Sequence, residues 1–279
     1  MKLAVLSGKG GTGKTTVSSN LAFITKSLLI DTDIEEPNSH IFLKPKNIKN
    51  FPVNTMYPEI DMERCILCGN CGDFCRFNAI IPSKKKVLVF EESCHDCGGC
   101  KIICRAGAIN YCKREIGEIF VGETYFNSPI KYGKLNIGEM SGVKIIKELY
   151  KTTPEKDFII DCPPGTSCTT VASVEESDFA IIVTEPSPFG LSDMKLVIEL
   201  LQDMKIPFGI VINKSIEGNT ELKNYCNKNS FEILGEIPFD KDIAKTYSKG
   251  EIICDTLPQY REIFENILKK IPEVINNEI

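Results

Sequence analysis

Short apolar segments alternate with helical patterns along most of the chain. Apolar runs of the kind that forms buried strands occur at residues 2–6, 28–30, 158–160, 179–183 and 208–212. A helical pattern follows the first run up to about Lys26, and others occur near residues 189–204 and 219–229. Strands that alternate with helices of this length are typical of parallel sheets. We therefore predict an α/β fold with a mostly parallel, doubly wound sheet and helices on both faces.

Two stretches in the first half of the chain depart from this alternation. Pro45, Pro52 and Pro58 predict that no long element forms between residues 39 and 60, because proline interrupts helices and central strands. A strand-like stretch occurs later, at residues 116–127.

The segment between these stretches has a composition of its own. Residues 61–112 are rich in cysteine and glycine and lack helical periodicity. We predict that they form a small inserted α+β domain. The larger domain is then discontinuous and consists of residues 1–60 and 113–279.

The C-terminal part of the chain has apolar residues at helical spacing. They are Tyr260, Ile263, Phe264, Ile267, Leu268 and Ile271. The polar face of this helix mixes basic residues with Glu262 and Glu265, whereas an anionic lipid surface favours a basic face. We therefore predict that the helix packs on the core and not on a membrane.

Composition and charge exclude several classes of partner. The 279 residues include 33 Lys and Arg against 38 Asp and Glu, which gives a net charge of −5, so we predict no nucleic-acid partner and no membrane partner. No apolar run approaches the roughly 18 residues of a membrane span. The chain has 13 cysteines and starts with a strand pattern instead of a signal segment. This combination predicts a cytoplasmic location, where reduced thiols are available for metal.

A glycine-rich loop follows the first predicted strand. Residues 8–15 match the phosphate-binding pattern G-x-x-x-x-G-K-[ST], between a strand and a helix. The predicted nucleotide-binding residues are Gly8, Lys9, Gly10, Gly11, Thr12, Gly13, Lys14, Thr15 and Thr16. Backbone N–H groups of such a loop surround phosphate oxygens, Lys14 neutralises β- and γ-phosphate charge, and the Thr15 hydroxyl ligates Mg²⁺. The loop predicts a bound nucleoside triphosphate with Mg²⁺.

Eight of the cysteines form two copies of one pattern. Each copy has the spacing Cys-x-x-Cys-x-x-Cys-x-x-x-Cys, and the second copy is displaced by 29 residues from the first. The first run consists of Cys65, Cys68, Cys71 and Cys75, and the second run of Cys94, Cys97, Cys100 and Cys104. Structural zinc takes paired Cys-x-x-Cys sets, so runs of three plus one favour iron–sulfur clusters.

This repeat resembles the two-cluster bacterial ferredoxins. The resemblance implies two 4Fe–4S clusters, with the fourth cysteine of each run bound to the other cluster. The implied ligand sets are Cys65, Cys68, Cys71 and Cys104 for cluster one, and Cys94, Cys97, Cys100 and Cys75 for cluster two. The proline that usually follows the fourth cysteine is replaced by Arg76 and Arg105, which removes a rigid turn but no ligand.

Three further features connect the phosphate loop to one family. Lys9 is similar to the second lysine of the deviant Walker A loop in the MinD/Mrp/nitrogenase-iron-protein superfamily of P-loop ATPases. Asp-Thr-Asp at residues 31–33 resembles its switch I, and Asp-Cys-Pro-Pro-Gly at residues 161–165 resembles its switch II. With the cysteine repeat included, the chain resembles members of this superfamily that have an inserted ferredoxin domain.

The resemblance implies a role for each matching residue. Lys9 and Lys14 would act in catalysis, with Lys9 reaching the nucleotide of a partner subunit across a dimer interface. Asp33 would orient or deprotonate the attacking water. Asp161 would hold Mg²⁺ through water, and Gly165 would respond to the γ-phosphate.

The resemblance also bears on the base. The motif that starts with Asn213 lacks the acid that guanine recognition requires, because Ile216 stands in its place, so ATP is favoured over GTP. In the superfamily, an Asn at this strand end and a loop resembling residues 238–240 frame the adenine. This implies that Asn213, Pro238 and Asp240 surround the base.

Cys168 gives a separate hypothesis. It follows Asp161 by seven residues, the offset at which the nitrogenase iron protein, a distant relative, has a cluster ligand. Two copies of Cys168 in a dimer could share a bridging metal or labile cluster, assisted by Cys162. The alternative is a buried free cysteine, which is common. The remaining cysteines, Cys112, Cys226 and Cys254, are interpreted as structural.

These features lead to two main hypotheses. In the first, an ATP-driven dimer, formed with a second copy or a paralogous ATPase, is coupled to electron transfer through two 4Fe–4S clusters to a redox partner. In the alternative, an Mrp-like ATPase assembles or carries a cluster or metallocofactor for an apo iron–sulfur acceptor, although no carrier-type Cys-x-x-Cys follows residue 168. Both predict slow, partner-stimulated hydrolysis of ATP. A MinD-like positioning ATPase is disfavoured because a basic membrane helix is absent.

Overall fold

A large sheet forms the centre of the molecule. The computed structural model describes residues 1–216, 218 and 220–278, and in this part of the chain the sheet has nine strands. These strands are β1 (Lys2–Leu6), β2 (Leu28–Asp31), β3 (Lys46–Ile60), β6 (Ile109–Glu123), β7 (Pro129–Leu135), β8 (Phe158–Asp161), β9 (Phe179–Thr184), β10 (Phe208–Ser215) and β11 (Ile233–Pro238). A separate antiparallel pair consists of β4 (Ile80–Pro82) and β5 (Val87–Val89).

The sheet is parallel over most of its width. The order of strands is β11-β10-β9-β1-β8-β2-β7-β6-β3. All neighbours from β11 to β7 pair in parallel, and β6 and β3 are added as antiparallel strands. The predicted mostly parallel α/β sheet is therefore confirmed.

Helices cover both faces of the sheet. Outside the cysteine-rich segment, the helices are α1 (Lys14–Thr25), α2 (Ser39–Leu43), α5 (Val143–Lys151), α6 (Cys168–Val174), α7 (Pro188–Asp203), α8 (Glu221–Lys228), α9 (Lys241–Ser248), α10 (Ile253–Thr256) and α11 (Arg261–Glu278). Two short helices, α3 (Asn70–Phe74) and α4 (Gly99–Ile103), lie within that segment. Successive strand residues point to opposite faces. In β1, Ala4 and Leu6 join the core formed with α5 to α8, whereas Leu3 and Val5 join the core formed with α1 and α11.

The prolines before residue 60 do not interrupt the chain as predicted. β3 is continuous over its 15 residues and pairs antiparallel with β6, so the expectation of no long element there is wrong. Pro52 and Pro58 are tolerated because β3 is the last strand of the sheet, where one side has no neighbour to bond. The paired strand β6 also begins earlier than the predicted strand-like stretch.

Two of the strands that pair in parallel, β7 and β11, were not among the predicted apolar runs. β7 contains Lys131, which is buried and donates hydrogen bonds to Thr152 O at 2.6 Å and Thr153 Oγ1 at 3.0 Å. β11 contains Gly235 and Glu236 in its centre. In both strands, a charged residue interrupts the apolar pattern in the sequence. The charge of that residue is paired or hydrogen-bonded only through tertiary contacts.

The ribbon of β3 and β6 carries the cysteine-rich segment. Ile60 and Ile109 are the last paired residues of the ribbon, and the chain between them forms α3, α4 and the β4–β5 pair. A small core of Ile80, Cys100 and Ile109 holds this segment together. The domain boundaries at residues 61 and 112 stay a prediction.

The C-terminal helix α11 packs on the core as predicted. Phe264, Ile267 and Ile271 are fully buried against one face of the sheet. Within the described residues, no helix is both long and apolar enough to span a lipid bilayer.

Removal of a buried ring from α11 should measure how firmly this helix is docked. We expect Phe264→Ala to lower the free energy of unfolding by about 3–5 kcal/mol, because it leaves a cavity in the core. Urea denaturation of the nucleotide-free protein measures this loss. Asn266→Ala, which changes an exposed residue of the same helix, should change stability by less than about 0.5 kcal/mol. Equal effects of the two substitutions would contradict the docking of α11.

Candidate functional site

The phosphate loop connects β1 to the first turn of α1. Gly11 and Gly13 have left-handed backbone conformations, with φ of 77° and 101°, which favour glycine. A Cβ atom at Gly13 would overlap the side chain of Asn213, and one at Gly8 would overlap the backbone of Asp193. The loop is therefore closely packed against its neighbours at Gly8 and Gly13. Its backbone N–H groups lie at the start of α1, and the start of a helix binds anions favourably.

A cavity of about 420 Å³ opens beside this loop. Of the predicted nucleotide-binding residues, it is lined by Gly11, Gly13, Lys14, Thr15, Thr16, Asn213, Pro238 and Asp240. Asn213 is held in place by a hydrogen bond from its Nδ2 to Thr12 O at 2.7 Å. Phe239, in the loop 238–240 that the resemblance assigns to the base, lines the same cavity, and so does the ring of Tyr247, which sequence reasoning missed.

Three carboxylates meet near the loop, at the carboxyl ends of β2 and β8. Asp31 and Asp161 are direct partners on these neighbouring strands, and both are buried. Asp31 accepts hydrogen bonds from the backbone N–H groups of Asp33, Asn38 and Ser39 at 3.0–3.1 Å. Asp31 thus holds the turn that carries Asp33, a role that sequence reasoning did not assign to it.

Burial controls the charge of this group. Desolvation raises the pKa of the Asp161 carboxyl well above its usual range, and the charge of Asp31 raises it further. Desolvation likewise raises the pKa of Asp33 to about 6, again with a contribution from Asp31, while Lys14 lowers it. Such a carboxylate is an effective proton acceptor near neutral pH.

The residues around Asp161 fit a magnesium ion. Both carboxylate oxygens of Asp161 are buried and make no hydrogen bond of good geometry, and the Thr12 hydroxyl is also buried without a partner. Buried unpaired oxygens are costly and are normally satisfied by a ligand, water or ion. Oxygen donors are the ligands that Mg²⁺ takes, and Thr15 lies in the same group. Thr15 and Asp161 therefore fit the magnesium role that the sequence predicts.

Lys9 makes an ion pair within its own chain. Its Nζ contacts Glu185 Oε1, and Lys214 Nζ binds the other oxygen of Glu185 at 3.3 Å. Lys214 Nζ also donates to Gly11 O at 3.0 Å. The hydrogen bond from Lys9 is the main cause that lowers the pKa of Glu185. Glu185 and Lys214 are further site residues that sequence reasoning did not identify.

The segment after β8 passes directly beside the phosphate loop. Gly165 N donates to Ser7 O at 2.9 Å, and Gly165 has a left-handed backbone with φ of 82°. Cys168, the first residue of α6, is exposed, so its interpretation as a buried free cysteine is wrong. Cys162 is fully buried, and burial raises the pKa of its thiol, so it is not available to assist Cys168.

Two cavities in the cysteine-rich segment are each bordered by four cysteines. One, of about 490 Å³, is lined by Cys75, Cys94, Cys97 and Cys100. A narrower one is lined by Cys65, Cys68, Cys71 and Cys104. Each cavity combines three cysteines of one run with the fourth of the other, which is the grouping that the ferredoxin resemblance implies. The binding of clusters there stays a prediction.

Hydrogen bonds reach cysteine sulfur atoms in both cavities. Among the described residues, no three His, Cys, Asp or Glu side chains are grouped to hold one metal ion. Tyr111 Oη lies 2.9 Å from Cys100 Sγ, and Ala108 N donates to Cys104 Sγ at 3.3 Å. Hydrogen bonds of this kind stabilise cluster-bound thiolates.

Not every cavity belongs to the predicted chemistry. A cavity of about 760 Å³ lies between the starts of β10 and β11, with Phe208 and Phe231 in its lining. These are the amino ends of parallel strands, opposite to the phosphate loop. None of the predicted site residues lines it. Ligands of open α/β sheets bind at the carboxyl ends, so we assign the nucleotide to the smaller cavity.

The parallel sheet, the loop at the start of α1 and the carboxylates beside it define a P-loop nucleotide-binding protein. The chain belongs to the family described as the CobQ/CobB/MinD/ParA nucleotide binding domain, which matches residues 3–253. Its fold is similar to the cell division ATPase MinD of Pyrococcus furiosus, with a TM-score of 0.59 at 20% identity over 98% of both chains.

Similar sequences come from several organisms. An uncharacterized protein of Methanocaldococcus jannaschii is 35% identical and covers 99% of this chain and 98% of its own length. An iron–sulfur cluster carrier protein of Aquifex aeolicus is 27% identical over 99% of this chain and 68% of its own length. The proteins of similar sequence therefore include an iron–sulfur cluster carrier protein, and the proteins of similar fold include a cell division ATPase.

The raised pKa of Asp33 predicts a pH-dependent penalty to stability. The folded protein holds the proton of Asp33 up to about pH 6, but the unfolded chain releases it near pH 4, so stability falls as pH rises through this window. We expect Asp33→Asn to stabilise the nucleotide-free protein by about 1–2 kcal/mol at pH 7.5, a figure reduced for partial exposure, and by clearly less at pH 5.

Urea denaturation at the two pH values measures this difference. Asp203→Asn, on the exposed end of α7, is the control and should show no such dependence. A gain from Asp33→Asn that is equal at pH 5 and pH 7.5 would contradict the assignment of the titration to Asp33.

Proposed function

We propose that this protein is an ATP-hydrolysing iron–sulfur protein whose nucleotide-driven dimer assembles or delivers an iron–sulfur cluster or related metallocofactor. One observation carries the proposal: the phosphate loop and two four-cysteine cavities occur in one chain. The similarity to an iron–sulfur cluster carrier protein supports delivery as the outcome. The reaction itself would take place at the phosphate loop.

Hydrolysis would use the residues at the carboxyl ends of β1, β2 and β8. The loop N–H groups and Lys14 bind the phosphates of ATP, and Asp33 accepts a proton from the water that attacks the γ-phosphorus. The bond to the β–γ bridging oxygen breaks, and ADP and phosphate leave. Thr15 and Asp161 would hold Mg²⁺, which neutralises charge that develops on the phosphate oxygens. Gly165, whose N–H donates to Ser7 O, would respond to loss of the γ-phosphate.

Dimer formation would require a change at Lys9. In the single chain Lys9 is bound to Glu185, so it reaches a partner subunit only when that ion pair opens. Release of Lys9 would leave Lys214 to neutralise Glu185. We infer that ATP in the partner subunit offers Lys9 a more negative group than Glu185, so the dimer closes on ATP and opens after hydrolysis.

The cysteine-rich segment, residues 61–112, would hold two 4Fe–4S clusters. Four cysteines line each cavity. Glycine at positions 72 and 99 allows close packing beside them, because a Cβ at Gly72 would overlap Pro82 and one at Gly99 would overlap Phe74. The clusters would supply reversible one-electron chemistry. Because all eight cysteines are used in complete sets, these clusters are resident groups, and the delivered cluster would bind elsewhere.

Cys168 is the proposed site for the delivered cluster. Its side chain is exposed at the start of α6, and it follows Gly165 by three residues. A change at Gly165 on hydrolysis would therefore move the start of α6. Two copies of Cys168 facing each other in a dimer would supply two thiolates, and the acceptor protein would supply the others.

Electron transfer is the second candidate function. It is favoured by the pairing of the two four-cysteine cavities, each of which contains a cysteine from the other run, so that the clusters would be neighbours. In this case ATP would drive docking to a redox partner, and iron would stay in the protein throughout.

The Lys14→Ala substitution separates the two halves of the proposal. We expect it to weaken binding of ATP and ADP by about 10- to 100-fold, because a charged contact to phosphate is worth about 1.5–3 kcal/mol. The visible iron–sulfur absorbance should be unchanged. Nucleotide titration by calorimetry and iron analysis under anaerobic conditions measure both. Lys228→Ala, an exposed substitution on α8, should alter neither. Loss of iron with Lys14→Ala would contradict the separation of the two sites.

Anaerobic transfer to an apo-ferredoxin distinguishes the two functions. Cluster delivery predicts that the ferredoxin gains iron only with ATP, that the donor keeps its eight resident irons, and that Cys168→Ala abolishes transfer. Cys112→Ala, which changes a cysteine outside both sets, should leave transfer unchanged. If no iron moves but ATP accelerates reduction of oxidised cytochrome c by the reduced protein, electron transfer is the function. If neither occurs, both candidates are wrong.

A further inference from the structure

The turn that carries Asp33 is in direct contact with the loop between β7 and α5. The residue after Asp33, Ile34, is buried, and its carbonyl accepts a hydrogen bond from Leu135 N at 2.8 Å. A Cβ at Gly142 would overlap the side chain of Ile34, and one at Gly133 would lie 2.8 Å from it. Gly142 and the adjoining residues of β7 thus pack directly against the switch I turn, whereas most of residues 136–142, here called the β7–α5 loop, is exposed.

The start of α5 contacts the cysteine-rich segment through one ion pair, and the β7–α5 loop reaches it through a second ion pair by way of Arg114 on β6. Lys144 Nζ, in the first turn of α5, contacts Asp96 Oδ2 at 2.7 Å, and Asp96 Oδ2 also accepts a hydrogen bond from Met56 N at 3.2 Å. Glu139 in the loop pairs with Arg114, and these two side chains are only 10% and 16% exposed.

Both ion pairs lead to the second run of cysteines. Asp96 lies between Cys94 and Cys97, and it has a left-handed backbone with φ of 54°. Arg114 Nη2 donates to Glu91 O at 3.3 Å, three residues before Cys94. A shift of the β7–α5 loop would therefore move charge and backbone directly at the cavity lined by Cys94, Cys97 and Cys100.

The first run has no equivalent connection. In the described part of the chain, its nearest ion pair is Arg64 with Asp61, which is local, and no ion pair or side-chain hydrogen bond joins residues 61–90 to the sheet domain outside the ribbon. The two four-cysteine cavities therefore differ in how they are attached, although their sequences repeat.

We propose that Lys144 and Glu139 are positioning residues that transmit the nucleotide state from the switch I turn to the second four-cysteine cavity and not to the first. The inference rests on the proposed function, because it needs both nucleotide and clusters. The γ-phosphate orders switch turns only while ATP is bound. In this proposal, Ile34 and the β7–α5 loop therefore adopt one arrangement with ATP and another with ADP. Coupling of this kind is reciprocal, so reduction of the cluster at Cys94 changes nucleotide affinity by the same factor.

The Lys144→Met variant tests this coupling in the cluster-loaded protein. It keeps most of the length of the side chain and removes the charge at an exposed position, so folding is preserved. Lys144→Arg should restore the effect. Lys151→Met is the matched control, because Lys151 belongs to the same helix and pairs only with Glu148 on that helix.

Two readouts are measured, each with a non-hydrolysable ATP analogue and with ADP. Amide hydrogen exchange of the wild-type protein should change on nucleotide exchange in residues 91–98 and not in residues 65–75. The midpoint potential of one cluster, and not the other, should shift between the two nucleotides. In Lys144→Met, both effects should fall to less than half of the wild-type values, with iron content and ADP affinity of the oxidised protein unchanged.

The outcomes separate this inference from the proposed function. If the wild-type protein lacks eight irons or does not bind nucleotide, the proposed function fails and the inference fails with it. If iron and nucleotide bind but exchange does not change in residues 91–98, or changes equally in residues 65–75, the inference alone is wrong. It is also wrong if Lys144→Met retains the full effect, or if Lys151→Met loses it to the same extent.

Discussion

Three carboxylates lie close together beside one buried lysine, and the proposed chemistry follows from how their charge is balanced. Asp31 and Asp161 lie opposite each other on neighbouring parallel strands, Asp33 follows on the adjoining turn, and Lys14 is the buried cation of the group. Desolvation is the main cause of the raised pKa values of all three carboxyls. The charge of Asp31 raises the pKa values of Asp33 and Asp161 further, and Lys14 offsets only part of this. Such an arrangement is unfavourable in the folded protein alone. It becomes favourable when a cation and a polyphosphate complete the charge balance.

Asp31 also holds the turn that is proposed as switch I. It accepts hydrogen bonds from three backbone N–H groups of the residues that follow it. In the proposed mechanism, a cation bound near Asp161 would change the charge beside this turn. Ile34 extends the turn into the core, between Gly133 and Gly142. Because protein interiors are close-packed, a displaced Ile34 moves the neighbouring loop instead of filling a void.

The cysteine-rich segment is attached by a long two-stranded ribbon rather than by flexible linkers. β3 and β6 pair over most of their 15 residues each, and they continue the large sheet at its antiparallel edge. A flexible linker would let the cysteine-rich segment move independently of the sheet. Because the ribbon is part of the sheet, it fixes the position of the segment relative to the sheet. This attachment is compatible with both cluster delivery and electron transfer. The similarity to an iron–sulfur carrier favours delivery, and the exposed thiol of Cys168 supplies a chemical group for it.

Features with a local signal could be predicted from the sequence. The apolar runs of five parallel strands, the glycine-rich loop and the repeated cysteine spacing each depend on residues close together in the chain. Features that depend on distant residues became visible only in the folded chain. Pro52 and Pro58 are tolerated because β3 is an edge strand. The charge of Lys131 is satisfied by the Thr152 carbonyl and the Thr153 hydroxyl, which follow α5. Glu185 forms an ion pair with Lys9, which is distant in the chain. The sequence shows which groups are present, but burial and pairing arise only when the chain folds. Burial and pairing decide whether a strand tolerates proline and which partners a charged side chain has.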